Sequence, residues 1–256
     1  MEFKLHYDDL ERDWKYGPSL WSGENGVKNS GVGILIKNKD VEIISVTHIE
    51  PGRAILVKVL FMGKEMKIIN IYGSVRKNER CDLFEKLKLF LMGQEPVLVM
   101  GDFNCILRLG DRGGDNSLDK SSKILIEMCE DLRLQDVWSI VGNDSNRSTW
   151  QSTITKSRID HCLIANGVNA VSWELCDNLF SDHRLILVQV NVEGCVSVQR
   201  GLWKLNVLLL EDERMDELFR VLYVRCVRAK RGFSNVLKWW DWFKVQCKNV
   251  FIRFGV

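Results

Sequence analysis

Two β-sheets packed face to face and flanked by helices, an α/β architecture, are what this sequence predicts, and three features predict them. Four apolar runs rich in Val and Ile follow one another closely between residues 32 and 72. Helical stretches with apolar residues three and four apart then alternate with further strand-like runs. The most polar motifs all fall where an apolar run begins or ends, at the rim where packed layers open onto solvent.

Residues 2–30 form a polar lead-in: Asp8 to Trp14 reads as a short helix, and Gly17-Pro18 opens a loop rich in Gly and Asn. Strands are expected at Val32 to Ile36, Val41 to His48, Ala54 to Met62 and Met66 to Tyr72, separated by Asn38-Lys39-Asp40, Pro51-Gly52 and Gly63-Lys64 turns. Such short connections favour antiparallel pairing. Leu83, Phe84, Leu87, Phe90 and Leu91 then recur at helical spacing, and Pro96 to Met100 reads as a buried strand. A Gly/Asp loop from Gly110 to Ser117 follows; Asp111-Arg112-Gly113-Gly114-Asp115 lacks the ligand spacing of a calcium loop and is expected to be a solvated turn near substrate. A second helix is expected near Asp119 to Leu132, and strands at Ser148-Thr149-Trp150-Gln151, Ser157 to Ile164 and Ser181 to Val188.

The chain has 256 residues, 46% of them hydrophobic, and 9 Trp, enough for a substantial core in one domain over residues 1–192 with a helical connector over 193–256. A net charge of +2 is too small to imply a nucleic-acid partner by itself, so any basic surface must be local. No apolar run reaches the roughly 18 to 20 residues that cross a bilayer, so no membrane partner is expected. The acidic start, with Glu2, Asp8, Asp9 and Glu11, is unlike a signal peptide. Eight Cys occur singly, with no Cys-x-x-Cys pair, and read as reduced core thiols of an intracellular protein.

Candidate chemistry gathers at three strand ends. Gly101-Asp102-Phe103-Asn104 follows the Pro96 to Met100 strand, where Gly101 lets the backbone bend so that the Asp102 carboxylate and the Asn104 amide converge. An Asx turn that only caps the strand is the plainer alternative. Ser157-Arg158-Ile159-Asp160-His161 and Ser181-Asp182-His183 each place a carboxylate beside a His at the start of an apolar strand, and Asp182 is expected to hold His183 in one tautomer. Tyr72, in Asn70-Ile71-Tyr72-Gly73, would sit at the same rim as Asp102 or be an edge aromatic.

Together these motifs resemble the endonuclease/exonuclease/phosphatase superfamily, and specifically the endonuclease domain of LINE-type retrotransposons. The resemblance covers most of residues 2–192 and implies a four-layered α/β/β/α sandwich and Mg²⁺-dependent hydrolysis of DNA phosphodiesters, with Mn²⁺ able to substitute. It implies that Asp102 orients the nucleophile, that Asn104 donates to phosphate oxygens, that His183 is the general acid or base, and that Asp160 and Tyr72 complete the site. Ser181, Arg158 and Thr149, the last in the family's Thr-Trp position, are expected at the substrate.

The sequence departs from the family pattern at its start, where an Asn-bearing strand and a Gln-Glu strand are expected. Glu2 reads either as the remnant of the metal-binding Glu or as an exposed terminal residue. On the first reading two core strands are missing, which leaves open a catalytically dead fragment that at most binds nucleic acid; another phosphoesterase of the superfamily is a further alternative. Beyond Glu193, Gly201-Leu202-Trp203-Lys204-Leu205-Asn206 and an expected Asn-capped helix from Val207 to Lys230 resemble the connector that leads toward a reverse transcriptase, a partner absent from this chain. A last helix, about Ser234 to Arg253, carries Trp239-Trp240-Asp241-Trp242-Phe243 among basic residues. It could stack on single-stranded nucleic acid, but its amphipathic pattern favours burial against a neighbour. DNA as substrate implies a nuclear place of action.

Overall fold

The computed structural model describes residues 14–23, 30–113, 117–143, 147–177, 181–195, 209 and 211–254. Glu2, the Asp8 to Asp13 stretch and the segment from Gly201 to Asn206 lie outside the described residues. The chain divides into two compact units, Met1–Ser197 and Val198–Val256.

In the first unit the elements run β1 (Ser19–Ser22), β2 (Val32–Leu35), β3 (Val41–Glu50), β4 (Ala54–Phe61), β5 (Lys64–Tyr72), α1 (Lys77–Leu91), β6 (Val97–Asp102) and α2 (Lys120–Asp131). There follow β7 (Gln135–Asp136), α3 (Val137–Val141), β8 (Trp150–Gln151), β9 (Lys156–Ser157), β10 (Asp160–Ala165), β11 (Val168–Cys176) and β12 (Leu185–Val192). A six-stranded sheet has the order β3-β4-β5-β6-β10-β7. Its pairs are antiparallel except β5 with β6, which are parallel because α1 carries the chain back between them.

One face of this sheet is closed by helices. Leu83, Phe84, Leu87 and Leu91 of α1 and Leu125 and Met128 of α2 pack on Ile69, Ile71, Val97 and Val99. Phe90, expected on that face, is exposed: it is set about 100° round the helix from Leu91, outside the stripe that Leu83, Phe84, Leu87 and Leu91 define. The helix α2 begins at its N-cap Asp119, whose side chain accepts from Ser122 N.

The other face is covered by two separate two-stranded ribbons. β1-β2 lies over β4 and β5, with Val32 and Ile36 against Ile55, Val57 and Met66. β11-β12 packs with α3 on β10, around Trp173, Cys162 and Ile164. Between the ribbons is a cavity of about 360 Å³, walled by Gly33 to Leu35 and by Leu185 and Ile186, with Ile68, Asn70 and Met100 as floor. Central strands are therefore sealed on one side only: Ile69 and Val99 are 0% exposed, whereas Ile68, Leu98 and Met100 on the opposite face are partly open. The two-layered sandwich is present, and among the described residues its second layer consists of two separate ribbons.

Two expected strands are shorter than their apolar patterns. The run from Ser157 to Ile164 is divided between β9, a hairpin partner of β8, and β10 of the large sheet. In the run from Ser181 to Val188, the strand starts only at Leu185. Sequence reading passed over β11, although Asn166-Gly167 with φ of 56° and 82° makes the Asn-Gly reversal that hands the chain from one layer to the other.

The second unit contains α4 (Glu213–Ala229) and α5 (Val236–Phe254). The cap of α4 is Asp212, which accepts from Arg214 N, so the helix starts later than the sequence pattern suggests. The aromatic stripe packs inward: Trp239 stacks on Phe243 with centroids 5.4 Å apart and donates to the Cys226 carbonyl at 2.8 Å. Leu218 of α4 is exposed. Among the described residues no helix is long and apolar enough to cross a membrane. All eight cysteines are free, and burial pushes the Cys105, Cys129 and Cys162 thiols up to about 12, so they stay protonated and inert.

Candidate active site

Strand register sets out the site. Tyr72 at the end of β5 pairs with Asp102 at the end of β6, and Asp102 pairs with Asp160 at the start of β10. Three adjacent strands thus deliver three polar side chains to one rim. Gly101 permits the turn there: its φ is 134°, and a Cβ would lie 2.1 Å from the Ile71 carbonyl oxygen.

Asn104 adopts a left-handed φ of 51° and closes an Asx turn, its N–H donating to Asp102 Oδ1 at 2.8 Å. Its side-chain Nδ2 donates to the Gly73 carbonyl at 2.8 Å and to Asp102 Oδ2 at 3.1 Å. Both acceptors require the amide nitrogen on that side, so both amide hydrogens are committed. The expected donation from Asn104 to a phosphate is therefore not available in this geometry; Asn104 braces Asp102 and the loop after β5.

The two acid-histidine motifs are crossed rather than self-contained. His183 Nδ1 lies 3.0 Å from Asp160 Oδ2 and 3.1 Å from Oδ1, so its partner comes from the other motif. Asp182, expected to hold His183, instead accepts from Trp150 Nε1 at 2.7 Å. Neighbouring residues on an extended chain point to opposite sides, which keeps Asp182 away from the next imidazole. The same rule separates Asp160 from His161. His161 is fully buried with Nδ1 3.0 Å from Arg158 Nη1, and since Arg158 can only donate, Nε2–H is the donor to the Cys105 carbonyl at 2.9 Å. Burial, reinforced by the Arg158 charge, lowers the pKa of His161.

His183 Nε2 points toward Asp102, 4.0 Å from its Oδ2. The hydrogen bond to Asp160 raises the His183 pKa against the opposing effect of burial, with the charges of Asp160, Asp102 and Asp182 adding to the rise. Burial pushes Asp102 up to about 6, and the nearby Asp160 charge adds to it. One ligand-type atom from each of Asp102, Asp160 and His183 fits within a mutual 4.8 Å, a set able to take a cation.

Thr149 and Arg158, expected at the substrate, are both fully buried. Thr149 Oγ1 donates to Asp160 Oδ2 at 2.6 Å and accepts from the N–H groups of Ile159 and Asp160, while its backbone bonds Ser157 and Arg184. It joins the three segments that carry Ser157, Asp160 and Arg184. Arg158 spends its fork on Asp111 and Asp136, at 2.8 and 2.7 Å. That also overturns the solvated-turn reading of Asp111, which is buried and ion-paired. Ser181 does line the surface beside His183, and its Oγ accepts from His183 N at 3.0 Å.

The β8-β9 hairpin divides the surface around His183. Trp150 pairs with Ser157 and Gln151 with Lys156, so alternate side chains face opposite ways. On one side is a cleft of about 540 Å³ lined by Tyr72, Asp102, Asn104, Arg112, Trp150 and His183. On the other is a polar cleft of about 940 Å³ with Gln151, Lys156, Ser181, His183 and Arg184. The Tyr72 ring also carries the Arg53 guanidinium, 4.8 Å from its centroid. Sequence reading missed Arg112, Lys156 and Arg184 as cleft residues, because which side of a hairpin a cation faces is fixed by pairing partners far along the chain.

The endonuclease/exonuclease/phosphatase family model matches residues 2–183. The chain belongs to this family. Over 255 residues it is 26% identical to the transposon TX1 uncharacterized 149 kDa protein of Xenopus laevis, covering 94% of this chain and 19% of that relative's length. Among solved structures the fold is similar to the endonuclease domain of TRAS1, a telomere-specific non-LTR retrotransposon, with a TM-score of 0.52 at 14% identity over 70% of this chain and 81% of that one. It is also similar to the Neisseria 3′ phosphatase NExo bound to product DNA hairpin, with a TM-score of 0.56 at 18% identity over 73% and 86%. TDP2 of D. rerio complexed with single-strand DNA product gives 0.54 at 16% over 73% and 81%. The resemblance carried by the three motifs and the α/β sandwich are thus both met.

Proposed function

We propose that this chain is a LINE-type endonuclease that nicks DNA by hydrolysing a phosphodiester bond with Mg²⁺, Mn²⁺ being able to substitute. The observation that carries the reading is the Asp160–His183 pair facing Asp102 at the junction of two clefts. Likeness to a transposon protein and to a retrotransposon endonuclease supports DNA as the partner, with a reverse transcriptase as the expected companion domain and the nucleus as the place of action.

The charges fit a divalent cation. Burial, with the nearby Asp160 charge adding to it, raises the Asp102 pKa to about 6, so the carboxylate is mostly ionised at neutrality at a cost that a bound cation relieves. Asp102 and Asp160 would hold the ion, and the family resemblance adds Glu2 as a further ligand. A Mg²⁺ ion held there would supply Lewis-acid polarisation of a phosphoryl oxygen and stabilisation of the leaving oxyanion. Ionised Asp102, braced by Asn104, accepts a hydrogen bond from the attacking water and aims it at phosphorus. His183, kept protonated by Asp160, donates to the phosphate as its negative charge grows, and Tyr72 offers its phenol at the cleft wall.

Nicking of supercoiled plasmid tests this. With Mg²⁺ the chain is expected to yield nicked circles, with EDTA none, and His183→Ala to slow nicking by about 10² to 10⁴. Glu2→Ala is expected to raise the Mg²⁺ concentration needed. The same assay separates a second reading, a catalytically dead fragment that at most binds nucleic acid. Plasmid left supercoiled at every Mg²⁺ and Mn²⁺ concentration would establish that reading instead.

Thr149 supplies a second test on the same assay. Thr149→Val is expected to lower turnover about 10- to 100-fold, as loss of an orienting partner does, with KM little changed, and Thr149→Ser to restore most of it. Equal losses in Val and Ser variants would remove the hydroxyl from the account.

A further inference from the structure

Arg112 is placed in the cleft by one set of contacts and left unspent by another. The backbone around it is pinned: Arg158 N–H donates to the Asp111 carbonyl at 2.7 Å, Gly113 N–H donates to the Lys156 carbonyl at 3.1 Å, and Arg112 itself forms a β-bridge with Ser157. Beneath it the Asp111 carboxylate is locked by Arg158 and Arg147. The Arg112 guanidinium, by contrast, makes a single long contact, 3.4 Å from Nε to Ser157 Oγ, and has no ion-pair partner among the described residues. A buried ion cluster therefore holds the backbone of a residue whose own charge is free.

The cleft needs that charge. An anionic phosphodiester entering it meets Asp102, with Asp160 behind His183, and finds both amide hydrogens of Asn104 already committed. The positive charge of His183 is shared with Asp160. Of the described residues lining this cleft, Arg112 alone bears a permanent positive charge, and its planar fork suits two phosphate oxygens at once.

We infer that Arg112 is a phosphate-binding residue that holds the nucleic-acid backbone in the cleft between Tyr72 and Trp150, an inference that rests on the reading of DNA as the partner. Binding of a fluorescent duplex oligonucleotide, followed by anisotropy in EDTA at several salt concentrations, tests it apart from catalysis. Arg112→Gln is expected to weaken binding several-fold and to make the slope of log K against log salt shallower by about 0.9, the contribution of one phosphate contact. Arg112→Lys keeps the slope but loses part of the affinity, because it retains the charge without the fork. Thermal melts of both variants are expected to match the parent, since the one hydrogen bond of the side chain among the described residues is a long one to Ser157.

An Arg112→Gln variant with the parent's affinity and salt slope overturns the inference, even if the parent nicks DNA. A parent that binds DNA through Arg112 but never nicks it sustains the inference and removes the catalytic reading. A parent that binds no oligonucleotide at low salt overturns both.

Discussion

Asp102→Asn is expected to slow nicking by about 10² to 10⁴ and at the same time to raise the melting temperature at pH 8, while leaving it unchanged at pH 4. Asp102 is mostly buried, faces the Asp160 carboxylate, and titrates at about 6 instead of 3.8. Its folded-state affinity for a proton exceeds the unfolded one, so the native state binds the extra proton between those values. Stability therefore falls as pH rises from about 4 to about 6, and the loss is complete above the folded value. A shift of this size corresponds to about 3 kcal/mol at most, at about 1.4 kcal/mol per pH unit. An uncharged Asn relieves this burden but turns an amide nitrogen or oxygen toward Asn104 Nδ2, where the carboxylate accepted at 3.1 Å. The net gain is expected to be about 1 kcal/mol, a rise of about 2 to 4 °C for a chain of this size. At pH 4 Asp102 is itself neutral, and the substitution changes little.

Calorimetry in EDTA at the two pH values reads this directly. A variant no more stable than the parent at pH 8 would mean that the Asp102 charge is compensated where it lies. On the activity side, loss of the carboxylate proposed to orient the water is expected to cost about 10² to 10⁴ in nicking rate with Mg²⁺. Stability and activity then move in opposite directions at one residue, the sign expected where a charge is held in a poor electrostatic environment for its chemistry.

How far the site was legible follows from the range of the interactions. Asp102, Asn104, Asp160 and His183 were marked by local pattern, because a polar cluster at the end of an apolar run shows itself within a few residues. The pairing of Asp160 with His183 was not, since it joins residues 23 apart whose facing depends on where two strands begin. Adjacent residues such as Asp182 and His183 look like partners in a string of letters and diverge once the backbone is extended. Thr149 and Arg158 were misplaced for a related reason. Both lie in the motif region, but their side chains turn inward to hold Asp160 and Asp111. Among the strands, β3, β4, β5 and β6 were legible from continuous apolar runs and turn residues, whereas β11 has an alternating pattern diluted by Asn169, Ser172 and Glu174.

Arg158 carries the other large expected effect, on stability. Its side chain is 0% exposed and binds Asp111 through Nε and Nη2 at 3.1 and 2.8 Å, Asp136 at 2.7 Å and His161 at 3.0 Å. The Trp138 ring lies 4.6 Å from the guanidinium carbon. Against the opposing effect of burial, the Arg158 hydrogen bonds and charge hold Asp111 below the ordinary carboxylate range. That depression stabilises the native state above the unfolded carboxylate value and is lost as pH falls through the folded one.

Arg158→Met preserves much of the side-chain volume but leaves two buried carboxylates facing each other with Arg147 as the remaining charge partner of Asp111. Removal of one member of a buried ion cluster typically costs about 3 to 5 kcal/mol, so the urea midpoint near pH 7 is expected to drop sharply or folding to fail. Arg158→Lys is expected to recover only part, because one ammonium cannot reproduce a fork serving three acceptors. Acidification separates this cause from simple loss of packing: protonating Asp111, no longer held charged by Arg158, removes unpaired charge, so the deficit of Arg158→Met relative to the parent should shrink toward pH 4. A deficit that is the same at both pH values would assign the role of Arg158 to volume alone. A shrinking one makes the charge cluster the rigid base that holds the backbone around Ser157 and Arg112, on which the proposed catalytic and phosphate-binding groups stand.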